Sequence, residues 1–265
     1  MIEALILGAL QGIAEWLPVS SEGLIFIVKT NFFPGEETLT ELVSYALFLH
    51  LGTFLAALIY FWKDVKKLLL ALFKYKKATK EIQGTLKFLI ISSVISGILG
   101  VLFLELLEIF DFNITDFSKW LTLVVALLLF ITAFLQIKGG EGGHRGPAEV
   151  KNKDAFILGL VQSLAALPGL SRSGLTVSAL LISNFKKQSA LYLSFLMSLP
   201  IVLGGNIILN LNTIDLSLPA IVALATSFIF GLITIKALLA LAKKINFGYF
   251  VLMFAVLTLI AVFIT

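Results

Sequence analysis

Leu7-Gly8-Ala9-Leu10-Gln11-Gly12-Ile13-Ala14 runs parallel to Leu158-Gly159-Leu160-Val161-Gln162-Ser163-Leu164-Ala165. With a one-residue gap Leu17-Pro18 matches Leu167-Pro168, and with the gap undone Ser21-Glu22-Gly23-Leu24 matches Arg172-Ser173-Gly174-Leu175. Leu-rich segments resemble one another by chance, but shared Gly, Gln and Pro positions argue for an internal repeat. Each copy is broken near its middle by proline and small residues, which suits two short half-helices better than one crossing. Irregular backbone of this kind is tolerated inside a bilayer only where it is buried in protein or lines a wet cavity.

The rest of the chain supplies the bilayer. Of 265 residues, 59% are hydrophobic and 14% charged, and the mean hydropathy is +1.03. A water-soluble domain carries about 25% charge, so a soluble fold is excluded. Crossing the hydrocarbon core takes roughly 20 mostly apolar residues. Six segments qualify: Leu42–Trp62, Leu86–Leu107, Trp120–Ile137, Ala190–Leu209, Ala220–Ala242 and Phe247–Ile264. The absence of cysteine excludes disulfides, Fe–S clusters and a thiol nucleophile, and two histidines are too few for a His-cluster metal centre. A net charge of +4 is too small and dispersed for a nucleic-acid partner.

Lys63, Lys66, Lys67, Lys74, Lys76, Lys77 and Lys80 fill one connection, Lys138, Arg145, Lys151 and Lys153 another, and Lys186, Lys187, Lys243 and Lys244 close two more. By the positive-inside rule these are cytoplasmic. Glu36 and Glu37, then Glu108, Asp111 and Asp116, then Asp215 mark the outer connections. Alternating six spans between these loops leaves no crossing for Met1–Val28 or Phe156–Ile182, so each dips in and returns, the first from outside and the second from inside. Met1–Val28 lacks the basic start of a signal peptide and is expected to stay in the mature chain.

The expected fold is an all-α polytopic membrane protein with six transmembrane helices and two re-entrant helical hairpins. Residues 1–138 form the first repeat, with its hairpin at 1–30. The Gly-rich stretch within 139–153 is a linker, and residues 154–265 form the second repeat, with its hairpin at 155–183. Three spans per repeat is odd, so the halves face opposite ways. In inverted repeats the site lies at the interface of the halves near midplane, where half-helix N-termini face an anionic group. Pro18-Val19-Ser20-Ser21 and Pro168-Gly169-Leu170-Ser171 each read as a break followed by a serine N-cap.

Two charges flank those breaks, Glu15 and Arg172. An unpaired charge at the bilayer centre costs about 3 kcal/mol on insertion scales, so the pair has a reason. One reading is a salt bridge that only staples the halves. The other is an anion site, since Arg172 stands among Ser171, Ser173 and free helix amides and its planar fork suits phosphate oxygens. Ser20 or Ser21 is then a candidate nucleophile beside a base, with Glu15 as that base or a cation ligand. His50, inside the first span, either bonds a neighbouring helix or lines the cavity. His144, in the linker, reads as solvated.

Gly12-Ile13-Ala14-Glu15-Trp16-Leu17-Pro18-Val19-Ser20-Ser21 and Pro168-Gly169-Leu170-Ser171-Arg172-Ser173-Gly174 resemble the two signature motifs of the undecaprenyl-diphosphate phosphatase (bacitracin resistance, BacA/UppP) family. The likeness extends along the whole chain and includes Gln162 and Leu51-Gly52-Thr53. It implies a membrane phosphatase that hydrolyses a polyprenyl diphosphate to the monophosphate carrier for cell-envelope glycan synthesis. Its site would open to the outer side of the cell membrane and use a divalent cation, Mg or Ca. Glu15 would be the catalytic carboxylate and metal ligand, with Ser20 and Ser21 as the serine pair. Arg172 would hold the diphosphate, and Gly23, Gln162, Ser171, Ser173 and Gly174 would contact substrate.

Two positions depart from the family pattern: Gln11 replaces a glutamate and Leu24 replaces a histidine. They imply slower hydrolysis, with Gln11, Glu22 and His50 as the compensating residues. They also favour a rival reading, a carrier that flips or binds a polyprenyl phosphate without hydrolysis. The expected partners are the lipid substrate and the bilayer, and a homodimer is allowed but not dictated.

Overall fold

The computed structural model describes residues 1–17, 19–35, 38–109, 144–166, 171–209 and 217–241, together with scattered positions between 120 and 138 and between 244 and 259. The expected breaks at Pro18 and 168–170, the linker glycines 139–143 and most of the spans 120–137 and 247–264 lie outside the described residues. So do the acidic positions Glu36, Glu37, Asp111, Asp116 and Asp215.

Nine α-helices are named among the described residues: α1 Ile2–Ala14, α2 Ser21–Phe32, α3 Leu39–Tyr60, α4 Trp62–Phe73, α5 Lys80–Ile109, α6 Asn152–Ser163, α7 Arg172–Ile182, α8 Lys187–Leu209 and α9 Leu218–Leu241. Extended pairing among the described residues is an isolated bridge between Arg145 and Phe185. Glu41–Tyr60, Lys80–Phe103, Lys187–Ile208 and Leu218–Leu241 are long and apolar enough to cross a membrane. Both broken stretches fold as pairs of short helices, α1 with α2 and α6 with α7.

The Lys-rich connection after α3 is helical rather than a loop. Val65, Leu68 and Ala71 recur on one face of α4 and are buried, while Lys63, Lys66 and Lys67 stay exposed. This period of three to four is the mark of an amphipathic helix.

Small residues bring α1 against α9. Gly8 faces the Ala223 backbone, and a Cβ on Gly12 would stand 2.6 Å from the Ser227 carbonyl oxygen. Trp16 Nε1 donates to the Gly231 carbonyl at 3.0 Å. Residues 8, 12 and 16 thus seat on 223, 227 and 231, a small-residue seam of the kind that lets membrane helices approach closely. On the other side of α9, Ser227 Oγ donates to the Leu49 carbonyl of α3 at 2.8 Å. A Cβ on Gly52 would lie 2.6 Å from the Leu224 carbonyl oxygen. Helix α9 is therefore a spine that sets α1 and α3 in fixed register.

The second broken stretch makes the reciprocal contact. Helix α6 packs along α5, where a Cβ on Gly159 would meet Ile95 Cβ at 2.8 Å and Gln162 Nε2 donates to Ser96 Oγ at 2.9 Å. Each helix pair so leans on a long helix distant from it in sequence. Its base is closed by an ion pair, Glu3 with Lys29 at 2.7 Å and Asp154 with Arg145. Arg145, in the expected linker, is firmly held. It donates to Asp154 Oδ1 at 3.1 Å and to the Ser183 carbonyl at 2.9 Å, and it lies 4.1 Å from the Phe185 ring centroid. His144 beside it is exposed.

Candidate active site

Four short-range decisions in the sequence build the site. Helix α1 stops at Ala14, and Glu15 caps it with its own N–H on the Gln11 carbonyl at 3.0 Å. Ser20 starts α2 as an N-cap, accepting the Gly23 N–H at 3.0 Å. Ser171 does the same for α7, accepting the Gly174 N–H at 3.0 Å. Ser21 and Arg172 thereby become the first helical residues of α2 and α7. The fourth decision is on α3, where Nδ1 of His50 donates to the Ala46 carbonyl at 2.6 Å and turns Nε2 toward α1.

These side chains converge on one buried carboxylate. Glu15 is 5% exposed, and its Oε1 is paired with the Arg172 guanidinium. Its Oε2 accepts Gln11 Nε2 at 2.9 Å and Ser21 Oγ at 3.0 Å, and stands 3.0 Å from His50 Nε2. The other arm of Arg172 donates to the Ser194 carbonyl of α8 at 3.1 Å. Thr176 steadies that end, donating to the Arg172 carbonyl at 2.8 Å and sharing a hydrogen bond with Ser194 Oγ at 2.7 Å. The two stretches are also latched directly, since Ser173 Oγ donates to the Leu17 carbonyl at 2.6 Å. The salt bridge expected as one reading of Glu15 and Arg172 does form, but inside a cluster with hydroxyls and an imidazole that a mere staple would not need.

A small, partly open cleft lies on this cluster, lined by Glu15, Ser20, Ser21, Glu22, His50, Ser171, Arg172 and Ser173, with Val19 and Ala165 as apolar wall. Eight of the expected site residues are thus gathered on one cavity. Gln11 stands behind it as a donor to Glu15. Gly23 and Gly174 serve through their amides, fixing the caps. Gln162 is turned to α5 and away from the cleft, because its amide pairs with Ser96. Ala46, Ser194 and Thr176 were not foreseen as supports. The only local signal is the four-residue spacing of 46 from 50 and of 172 from 176, one helical turn.

The donor set does not fit a resident divalent cation. A carboxylate offers roughly four lone-pair positions, and four donors, Gln11, Ser21, His50 and Arg172, already surround Glu15. No three His, Asp or Glu side chains among the described residues are grouped to hold a metal ion. The arrangement instead offers an anion a guanidinium, two capped helix starts and several hydroxyls, the combination by which proteins hold phosphate.

The chain is similar to known proteins along nearly its whole length. The chain is 40% identical to the undecaprenyl-diphosphatase of Methanococcoides burtonii over 99% of its length and 98% of the relative's. It is 35% identical to that of Haloarcula marismortui, covering 93% and 92% of the two chains. To that of Bacteroides fragilis it is 32% identical, covering 99% and 97%. The pattern described as bacitracin resistance protein BacA matches residues 4–260, and the chain belongs to that family.

Proposed function

We propose that the protein is a membrane phosphatase that removes the terminal phosphate of undecaprenyl diphosphate, leaving the monophosphate lipid carrier. The observation that carries this reading is the convergence of Ser21, His50 and Arg172 on Glu15 at the wall of the cleft, in a chain whose relatives are undecaprenyl-diphosphatases. The diphosphate takes Arg172 and the amides at the starts of α2 and α7. Ser21 is the attacking hydroxyl, because its proton is already directed at a carboxylate, whereas Ser20 Oγ and Ser171 Oγ serve as caps. Ser21 Oγ bonds to the terminal phosphorus as the bridging P–O bond breaks. Its proton passes to Glu15, and water then splits the phosphoserine. Phosphoryl transfer depends chiefly on positioning and charge neutralisation, which this cluster supplies with the chain's own groups.

The architecture we assign to this function is six spans and two re-entrant hairpins in an inverted repeat. Residues 1–138 form one half and 154–265 the other, and the Lys-rich loops are cytoplasmic. Its support is the reciprocal packing of α1 on α9 and α6 on α5, and the matching caps at Ser20 and Ser171. The cleft then lies at the junction of the halves, with the prenyl tail in the surrounding hydrocarbon.

The test is phosphate release by the purified full chain given undecaprenyl diphosphate in phospholipid vesicles. Stoichiometric appearance of inorganic phosphate and undecaprenyl phosphate is expected. Lipid binding that needs Arg172 but yields no phosphate would overturn hydrolysis and indicate a carrier.

A further inference from the structure

Helix α2 contains no histidine. The structure supplies one from another helix. His50 sits on α3, is 7% exposed and lines the cleft. Its depth is set by the tight α3–α9 contact at Gly52, Leu49 and Ser227, and Thr53 Oγ1 donates to its carbonyl at 2.9 Å. The ring is held from behind by the 2.6 Å contact of Nδ1 with the Ala46 carbonyl, an acceptor that can only receive. Nε2 faces a second acceptor, Glu15 Oε2, at 3.0 Å, and lies 3.4 Å from Ser21 Oγ. A ring that satisfies both oxygens presents N–H on both nitrogens. The groups that face it are Glu15 from α1, Ser21 and Glu22 from α2 and Arg172 from α7.

We propose that His50 is a catalytic residue of this phosphatase, donating the Nε2 proton to the bridging oxygen as the P–O bond breaks. The assignment rests on the hydrolytic reading given above. As Ser21 Oγ bonds to the terminal phosphorus, the Ser21 proton moves to Glu15 Oε2, the bridging oxygen leaves with the electron pair of the broken bond, and His50 Nε2–H protonates it. Glu15 returns its proton to Nε2 across their 3.0 Å contact. In the second step water attacks the phosphoserine and gives a proton to Glu15, and the His50 Nε2 proton goes to the departing Ser21 Oγ. Protons balance over the cycle with no further reactant. Ser21, Glu15 and His50 so divide attack, proton acceptance and proton donation among three elements: α1 and α3, which α9 sets in register, and α2, which packs on both of them.

The test compares two substrates on the purified full chain and its His50→Gln variant, which keeps a polar side chain at the site. With undecaprenyl diphosphate, kcat is expected to fall about 100-fold or more, the usual weight of a general acid, with KM within about threefold. With an analogue whose bridging oxygen is sulfur, a leaving group that needs no proton, the two proteins are expected to turn over at similar rates. Equal loss on both substrates would mean that His50 only shapes the site, and undiminished hydrolysis of the oxygen substrate would remove it altogether. Either result overturns the assignment. Because wild-type phosphate release is measured in the same experiment, failure of the hydrolase reading is distinguished from failure of this one. A variant that merely misfolds is recognised by loss of turnover on the sulfur analogue together with a lowered thermal midpoint, and His50→Asn then replaces it in the same comparison.

Discussion

Ser21 and Arg172 hold the same place in two separate helices, the first helical residue after a serine cap, and both donate to Glu15. Ser21 takes Oε2 and Arg172 takes Oε1. Two similar stretches of sequence thus differ at one matched pair of positions, a hydroxyl in one and a cation in the other, and both share one anion. In the proposed reaction the diphosphate oxygens would compete with Glu15 for the guanidinium, and the carboxylate freed on that side would become a better acceptor for the Ser21 proton.

This exchange predicts how Arg172 responds to substitution. Arg172→Lys keeps the charge but loses the second arm that reaches the Ser194 carbonyl, so KM should rise and kcat fall, together about 100-fold in kcat/KM. Arg172→Ala removes one of the two cationic partners of a buried carboxylate, so the loss of stability should stay below the roughly 3–5 kcal/mol typical of a fully unpaired buried charge. It should abolish phosphate release and lower the thermal midpoint. Arg172→Lys activity close to wild type would show that the planar fork is not used.

The four hydroxyls at the cleft should separate cleanly. Ser21→Ala is expected to lose about 1,000-fold or more in kcat with little change in stability, because nucleophile and proton source go together. Ser20→Ala removes the cap on Gly23, worth about 1 kcal/mol. It should lower the thermal midpoint more than Ser21→Ala does while retaining much of the activity. Trapping a phosphorylated chain and mapping the phosphate to residue 21 would settle the nucleophile, and a phosphate found at 20 instead would reverse the roles.

Much of this site was legible from the two similar stretches of sequence. The matched breaks, the serine caps and the two flanking charges could be read without coordinates, because local spacing determines where a helix stops and restarts. Which side chains meet could not. His50 is 35 positions from Glu15 in sequence but beside it in space, because Gly52 and Ser227 bring α3 onto α9 and Gly8 and Gly12 bring α1 onto the same helix. Small residues carry little hydropathy signal, so the seams that assemble the site are faint in a profile dominated by Leu and Phe. Gln162 illustrates the converse. It matches Gln11 in sequence, yet Gln11 faces the buried Glu15 carboxylate and Gln162 faces Ser96, because the partner helix decides what each amide meets.

The seam itself is open to test. Gly12→Val would push a side chain into the Ser227 carbonyl and Phe230, separate α1 from α9 and move Glu15 from His50. Folded yield and kcat should both fall sharply. Gly97→Ala is the matched control on a helix of similar environment. Nothing lies within 4 Å of its added Cβ, and alanine is favoured over glycine in helices by about 1 kcal/mol. That variant should be as stable as wild type or more so.

Orientation can be read by labelling, since the chain contains no cysteine. Single cysteines at Lys76 and Lys153 should react with a membrane-impermeant maleimide only in inside-out vesicles, and one at Gly35 only in right-side-out vesicles. Labelling of all three from one side would refute the opposed hairpins.

The ion pairs at the hairpin bases should differ in weight. Lys29 and Glu3 meet at 2.7 Å, but the Glu3 side chain is 37% exposed, and pairs open to solvent contribute about 1 kcal/mol or less. Arg145 is held by Asp154, by two backbone carbonyls and by the Phe185 ring, and its removal strands an Asp154 side chain only 9% exposed. Arg145→Ala should therefore lower the thermal midpoint well beyond Lys29→Ala. Because Arg145 ties the start of α6 to the turn between α7 and α8, its loss should also loosen the position of Arg172 and raise KM more than it lowers kcat. Equal destabilisation by the two variants, with KM unchanged in both, would mean that neither base pair bears on the geometry of the cleft.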